Sequence, residues 1–219
     1  MHIPDGFLSP EVAAVTGVAA VGAVAIGVRR ANATLDDRRV PLLGVTAAFV
    51  FAAQMLNFPV AGGTSGHFLG AALAAILLGP WLATVVLAVV LGVQALMFAD
   101  GGVTALGANV LNMGVLGGLG AGAVMRLAPR SSRGGFLAAA AVAAWLAVMA
   151  GAAATAVELA LSGTVPLGTV LPAMLGVHVP IGIGEAVITV AAVSAVLAAR
   201  PDLIAEDLPP TALPQGALR

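Results

Sequence analysis

The chain opens with Met1-His2-Ile3-Pro4-Asp5-Gly6-Phe7-Leu8-Ser9-Pro10, and the first long apolar run begins directly behind it. A histidine in second place can close two fused chelate rings on one metal ion, using the Met1 α-amine, the His2 main-chain nitrogen and Nδ1 of the His2 ring. Nickel(II) and copper(II) promote the necessary loss of the amide proton more readily than cobalt(II). Three nitrogens near one plane suit a late divalent transition metal and leave a fourth position open. The alternative interpretation is an accidental histidine at a frayed terminus.

Composition predicts an all-α integral membrane protein. Of the 219 residues, 60% are hydrophobic and 9% are charged, whereas a water-soluble domain of this length carries far more charge on its surface. The formal net charge of −1 gives no sign of nucleic-acid binding. Because the chain has no cysteine, any metal site must use nitrogen, oxygen or methionine sulfur.

The first ten residues are not typical of a signal peptide. No basic residue precedes the first apolar run, and Pro4, Asp5, Gly6 and Pro10 interrupt its approach. We therefore expect Met1 to remain on the mature chain, where its amine is available to a metal.

Breakers and charged residues divide the chain into seven apolar segments. Spanning a membrane takes about 20 apolar residues, and the segments cover residues 11–28, 40–56, 68–78, 81–99, 104–125, 134–161 and 169–199, the last interrupted at Pro180. The pattern predicts a seven-transmembrane-helix bundle. Residues 1–200 are expected to form a single membrane-embedded metal-binding domain, and residues 201–219 an acidic, loosely ordered cytoplasmic tail.

The arginines predict which way the bundle faces. Seven segments place the termini on opposite sides, and the arginines of 29–39, of 126–133 and at position 200 then share one side. By the positive-inside rule that side is cytoplasmic, with the N-terminus outside. His2, His67 and His178 all fall on the outer face, so His67 can reach the open position beside His2.

One long motif makes a family resemblance specific. Phe51-Ala52-Ala53-Gln54-Met55-Leu56-Asn57-Phe58-Pro59, followed by Gly62-Gly63-Thr64-Ser65-Gly66-His67, resembles the CbiM/NikM family of cobalt- or nickel-capturing membrane subunits of energy-coupling-factor (ECF) transporters. The resemblance runs from residue 1 to about 199, including 1–7, 79–81, 94–96, 100–109, 112–114, His178 and 181–189. Residues 29–40 and 130–165 match in hydropathy and length only.

The resemblance implies a fold, a ligand set and partners. An extracellular N-terminal segment is expected to insert into the bundle. The Met1 amine, the His2 amide and ring nitrogens and a ring nitrogen of His67 are then expected to bind Co²⁺ or Ni²⁺ as the transported substrate, cobalt serving cobalamin synthesis. The implied partners are a membrane coupling (T) subunit, a pair of cytoplasmic ATPases and, in some members, a small accessory membrane subunit. The sequence leaves cobalt and nickel open, although a planar nitrogen site favours nickel on intrinsic affinity.

Other polar residues are candidates for a supporting role. A histidine ligand usually donates its other N–H to an acceptor, and the candidates around the site are Asn57, Ser65, Asp100 and Asn109. His178 and Glu185 share one face of the last segment, about 10 Å apart, and either belong to the site or make a buried structural hydrogen bond. Glu158 has the same two interpretations. Met55, Met97 and Met113 either pack near the site or fill core gaps.

Two other functions are alternatives to a metal-capturing transport subunit. A metal-dependent intramembrane enzyme would use His178 and Glu185 as ligand and base, but the chain has no H-E-x-x-H pair. A passive divalent-cation channel would need a polar pore through the bilayer. The chain also has no phosphate-binding glycine–lysine loop, so we predict that it is not an enzyme and that partners hydrolyse ATP.

Overall fold

The computed structural model describes residues 1–34, 40–127 and 132–204. Within those ranges, seven helices follow one another: α1 Pro10–Thr34, α2 Val40–Gln54, α3 Ala71–Leu78, α4 Pro80–Phe98, α5 Leu106–Leu127, α6 Arg133–Leu161 and α7 Leu167–Ala199. A short 3-10 turn, Pro201–Leu203, follows α7. Between α2 and α3, strands β1 (Phe58–Pro59) and β2 (Ser65–Gly66) form a small antiparallel hairpin, with Phe58 opposite Gly66.

Five of the described helices, α1 and α4 to α7, are long and apolar enough to cross a membrane. Many of their large apolar side chains face outward, such as Val15, Val18 and Val21 on α1, which are 70%, 76% and 71% exposed. A surface of this kind is stable against lipid and not against water. The chain is therefore a multi-pass membrane protein.

The structure agrees only in part with the expected bundle of seven membrane-crossing helices. Helix α2 has 15 residues and α3 has 8, and all of α3 is buried. Eight residues rise about 12 Å, well short of the ~30 Å hydrocarbon core. Segment 68–78 is thus a short helix inside the bundle, packed against α4, α5 and α6.

The last helix differs from its prediction. The sequence predicts a break at Pro180, yet α7 continues through both Pro172 and Pro180. Proline is tolerated inside a membrane helix because neighbouring helices and local adjustments satisfy the freed carbonyl groups. Helix α6 supplies such a neighbour along the length of α7, and Gly182 gives room for the Trp145 ring, which would lie 2.8 Å from an added Cβ.

Helix α5 contains a π-helical stretch, Val110–Leu116, between its α-helical ends. Turns of this kind are rare and often lie at functional sites. Asn109 directly precedes the stretch and Asn112 lies within it, and both side chains are buried.

Some expectations fall outside the described residues. These are the tail from residue 205 onward, and the arginines at positions 38, 39 and 130 that contribute to the predicted orientation.

Candidate metal centre

The amino terminus is buried in the bundle. Met1, His2 and Ile3 are 0%, 4% and 0% exposed. The Ile3 N–H donates to Asn109 Oδ1 over 2.8 Å, and Asn109 Nδ2 donates back to the Ile3 carbonyl over 3.1 Å. The same carbonyl accepts from the Gly102 N–H at 2.8 Å. Both polar groups of Ile3 therefore have partners away from water.

Two further contacts hold the residues that follow. Asp5 Oδ1 accepts from the Thr104 N–H at 2.7 Å and from the Thr104 hydroxyl at 2.5 Å. The Thr164 hydroxyl, in the turn between α6 and α7, donates to the Phe7 carbonyl. The terminus is thus tied to the α4–α5 loop, to α5 and to the α6–α7 turn.

The nitrogen atoms of Met1 and His2 converge on Ser65 of β2. The Met1 amine donates to the Ser65 carbonyl at 2.5 Å and to Ser65 Oγ at 3.0 Å, and the His2 N–H donates to the same Oγ at 3.1 Å. The Met1 side chain packs against Gly151 of α6, where an added Cβ would lie 3.1 Å from its sulfur. Two of the nitrogens expected to chelate a metal are therefore already turned toward one point.

The rings of His2 and His67 lie side by side, with centroids 4.4 Å apart and planes at 76°. His67 Nδ1 lies 2.7 Å from the Phe68 carbonyl and must donate to it, which leaves a lone pair on a buried Nε2 that has no partner. His2 Nδ1 lies 3.0 Å from the Asp100 carbonyl and 3.3 Å from its carboxylate, and His2 Nε2 also lacks a partner.

Burial keeps these nitrogens in their neutral, metal-binding form. It lowers the pKa of the Met1 amine well below its usual value of 8.0, against a smaller opposing effect of the Asp100 carboxylate. Burial, followed by the nearby amine, lowers the pKa of His2 to about 4 and that of His67 well below its usual range. Neutral amine and imidazole bind metal ions, and their protonated forms do not.

A cleft of about 230 Å³ opens beside His2. Its walls come from the terminus, the hairpin and the α4–α5 loop, and its lining includes His2, Pro4, Phe7, Thr64, Ser65 and Asp100. Among the described residues, no group of three or more His, Asp or Glu side chains is placed to hold a metal ion. A metal centre here therefore depends on terminal and main-chain nitrogens as well as on side chains.

The main chain after His67 is fixed from two helices. Glu185 of α7 accepts from the Leu69 and Gly70 N–H groups, one on each oxygen, both at 2.6 Å. Gln54 at the end of α2 donates through Nε2 to the Leu69 carbonyl at 2.7 Å. Both Glu185 oxygens are thus occupied, which does not suit a catalytic base.

The other predicted supporting residues divide into two groups. Asn57 donates to the Asp100 carboxylate at 2.9 Å, so it reaches the His2 ring through Asp100. His178 of α7 is fully buried, its Nδ1 donates to the Met174 carbonyl at 2.6 Å, and its Nε2 has no partner. The hydrogen bonds of His178 and Glu185 go to different main-chain groups and not to each other, which does not suit a ligand–base pair.

Glu158 and the methionines have surroundings that do not assign them to the metal site. Asn112 Nδ2 donates to the Glu158 carboxylate at 2.6 Å, which makes Glu158 the partner of α5 rather than of the terminus. Met55 and Met97 are 37% and 74% exposed, and Met113 is a buried core residue.

Sequence reasoning assigned no role to several residues that shape the site. Gln54 anchors the His67 segment and Thr104 holds Asp5. Gly101 has φ +90°, and a Cβ there would lie 3.2 Å from His2 Nδ1. At Gly102 a Cβ would collide with the main chain of Asp5. The paired glycines after Asp100 were the available signal, because adjacent glycines mark a close approach of two backbones.

Comparison with known families assigns the chain to one of them. Residues 2–203 match the profile of CbiM, described as the cobalt uptake substrate-specific transmembrane region. The chain belongs to the CbiM family. The resemblance inferred from the motifs is therefore confirmed.

Similar proteins agree with this assignment. A putative metal transport protein of Haloquadratum walsbyi is 43% identical, over 93% of each chain. The fused nickel transport protein NikMN of Rhodobacter capsulatus is 38% identical over all of this chain and 68% of its own length. The cobalt transport protein CbiM 1 of Pelobacter propionicus is 38% identical over 90% of this chain and 91% of its own length. A crystal structure of a truncated transition metal transporter superposes with a TM-score of 0.84 at 35% identity, covering 91% of this chain and 99% of the other.

These relatives settle the broad class of the protein. They are named as metal transport proteins, so the prediction that the chain is a transport subunit and not an enzyme is confirmed. Cobalt or nickel is the substrate in the names of the family and its members.

Proposed function

We propose that this chain captures Co²⁺ or Ni²⁺ at the outer face of the membrane and delivers it inward as the substrate-specific subunit of an ATP-driven ECF transporter. One observation carries the proposal. The Met1 amine and the His2 main-chain nitrogen are buried and point at one hydroxyl, 3.0 and 3.1 Å away, beside a His67 ring whose Nε2 is free.

The proposed ligands are the Met1 amine, the His2 main-chain nitrogen, Nδ1 of His2 and Nε2 of His67. Three of them belong to two adjacent residues, so binding orders little additional chain. Nδ1 of His2 faces the Asp100 carbonyl in the metal-free arrangement. Chelation requires the ring to leave this contact and to carry its single proton on Nε2 instead of Nδ1, because a nitrogen that donates a proton to a carbonyl has no lone pair for a metal.

Supporting roles follow from the same contacts. Ser65 holds the amine and amide nitrogens until the metal replaces it, and Asp100 is available as an acceptor for the N–H of the metal-bound His2 ring. Asn57 keeps the Asp100 carboxylate in place, and Asn109 keeps Ile3 in place. His178 borders the His67 side of the site and is not proposed as a ligand.

The orientation and partners are proposed on separate grounds. The arginine distribution supports an outer N-terminus and a cytoplasmic C-terminus, with the tail from 201 in the cytoplasm. The described helices support a seven-helix bundle formed by residues 1–200, in which the short α3 leads from the His67 side to the side of Arg30 and Arg126. This chain corresponds to 70% and 68% of two relatives named as fused NikMN proteins, which supports an accessory membrane component as a partner. A T subunit and a pair of ATPases would supply the energy, and captured cobalt would serve cobalamin synthesis.

The test is metal content and uptake. The purified chain is expected to bind a single Co²⁺ or Ni²⁺ ion, and His67→Ala is expected to weaken binding strongly. Glu158→Gln is the control, since this buried carboxyl group contacts Asn112 and no proposed ligand, and it should bind as the native chain does. Native affinity in His67→Ala would refute the site. Uptake into vesicles that persists without ATPase partners would favour the passive channel instead.

A further inference from the structure

The proposed metal site is assembled from two parts that meet at Ser65, which accepts from the Met1 amine and the His2 N–H, and that have different anchors elsewhere. The Met1–Ile3 part is held by Asn109 of α5 and by Gly102 of the α4–α5 loop. The His67 part lies on the segment 67–70, which contacts neither of those anchors through the hydrogen bonds described above. What fixes His67 therefore decides whether the fourth ligand is in place.

Every polar main-chain group of Leu69 is held by a buried side chain. Its N–H donates to Glu185 at 2.6 Å and its carbonyl accepts from Gln54 at 2.7 Å, and these two side chains are 1% and 0% exposed. The Gly70 N–H donates to the second Glu185 oxygen at 2.6 Å. The φ of Gly70 is +78°, and a Cβ there would lie 2.7 Å from the Val50 side chain, so the segment has little freedom to adjust.

A carboxyl group inside a membrane helix is costly to bury. Both Glu185 oxygens accept hydrogen bonds from the segment that carries His67, and Glu185 has no other hydrogen-bond partner in the described part of the chain. We infer that Glu185 and Gln54 are positioning residues that set the place of His67 Nε2 as the fourth metal ligand. This inference rests on the proposed function.

Removing either anchor leaves a specific defect. Glutamine at position 185 offers one accepting oxygen and turns an N–H₂ group toward a main-chain N–H, so one buried donor loses its partner and the segment must shift. The Met1–His2 chelate keeps its own anchors and still binds metal. Loss of a group that orients a metal ligand typically lowers affinity about 10- to 100-fold, and we expect a decrease of that size.

The experiment uses the full purified chain and Ni²⁺ as the probe. Affinity is measured by competition with a chelator, and the visible absorption of the bound Ni²⁺ reports the number and arrangement of nitrogen donors. We expect Glu185→Gln to shift the spectrum toward that of His67→Ala, with weaker binding. Glu158→Gln is the matched control, since it alters a buried carboxyl group that contacts Asn112 and not the His67 segment.

Each other outcome has a defined meaning. A native spectrum and affinity in Glu185→Gln, when His67→Ala is altered, overturns the positioning role and leaves the proposed function standing. An equal shift in Glu158→Gln also overturns it, because the effect is then one of general packing. A native His67→Ala refutes the proposed function itself. If Glu185→Gln does not fold, Gln54→Leu decides in its place: a shifted Ni²⁺ spectrum supports the role and an unshifted one overturns it.

Discussion

Replacing Asn109 by leucine tests how the terminus is held. The Asn109 side chain is 2% exposed and makes two hydrogen bonds to Ile3, accepting from its N–H at 2.8 Å and donating to its carbonyl at 3.1 Å. Leucine has a similar volume and neither bond. The Ile3 carbonyl keeps the Gly102 N–H, so the Ile3 N–H is the group left without a partner.

The size of the effect follows from that single orphaned donor. An unpaired buried donor costs about 1–3 kcal/mol, which acts against docking of the terminus. If docking and metal binding are one equilibrium, the affinity for Ni²⁺ falls by about 5- to 150-fold, since 1.4 kcal/mol is a factor of ten. The metal spectrum should stay native once the site is saturated, because every ligand is still present.

The assay is a Ni²⁺ competition titration of the purified protein. Asn112→Leu is the control, as it removes a buried amide on the same helix that bonds to Glu158 and Thr155 and not to the terminus. Native affinity in Asn109→Leu would refute the idea that anchoring of Ile3 supports metal capture. Equal weakening in both variants would refute it too, because damage to α5 would then explain the loss.

Two more predictions concern the proton and the glycine pair. Burial lowers the pKa values of the Met1 amine and of both rings, so the His2 amide is the one ligand group that must lose a proton to the solvent when metal binds at neutral pH. Binding should therefore release about one proton and tighten about tenfold per pH unit. Calorimetry in two buffers measures the release, and release of no proton contradicts amide ligation. Gly102→Ala should weaken Ni²⁺ binding, because the added Cβ would collide with the main chain of Asp5. Gly120→Ala is the control and should bind Ni²⁺ normally, because there is open space around Gly120. Equal titration curves for the two variants would contradict the close packing of the terminus.

Part of the fold was predictable from the residues that break helices. Helix α4, Pro80–Phe98, lies within a residue of the predicted 81–99 segment because Gly79-Pro80 and Asp100-Gly101 mark its ends clearly. The sequence did not show that α3 is a short and fully buried helix, since an apolar run gives no sign of whether lipid or protein surrounds it. The break predicted at Pro180 was wrong because packing against α6 compensates for the lost hydrogen bond.

The candidate site shows the same division. The pairing of His2 with His67 followed from membrane topology, and the structure places the two rings 4.4 Å apart, while their role as ligands stays a prediction. The convergence of Gln54 and Glu185 on Leu69 could not be predicted, because those residues are 15 and 116 positions from it along the chain. Long-range hydrogen bonds to main-chain groups leave no periodic trace in a sequence.

The most direct test of the central claim is to block the Met1 amine and measure metal binding. The chain has no lysine, so the α-amine is its only amine group for an acylating reagent. The terminal chelate predicts that the acylated protein no longer binds Co²⁺ or Ni²⁺ stoichiometrically and that bound metal protects the native amine from acylation. Native affinity in the fully acylated protein would contradict the chelate and move the search for the site to the buried His178.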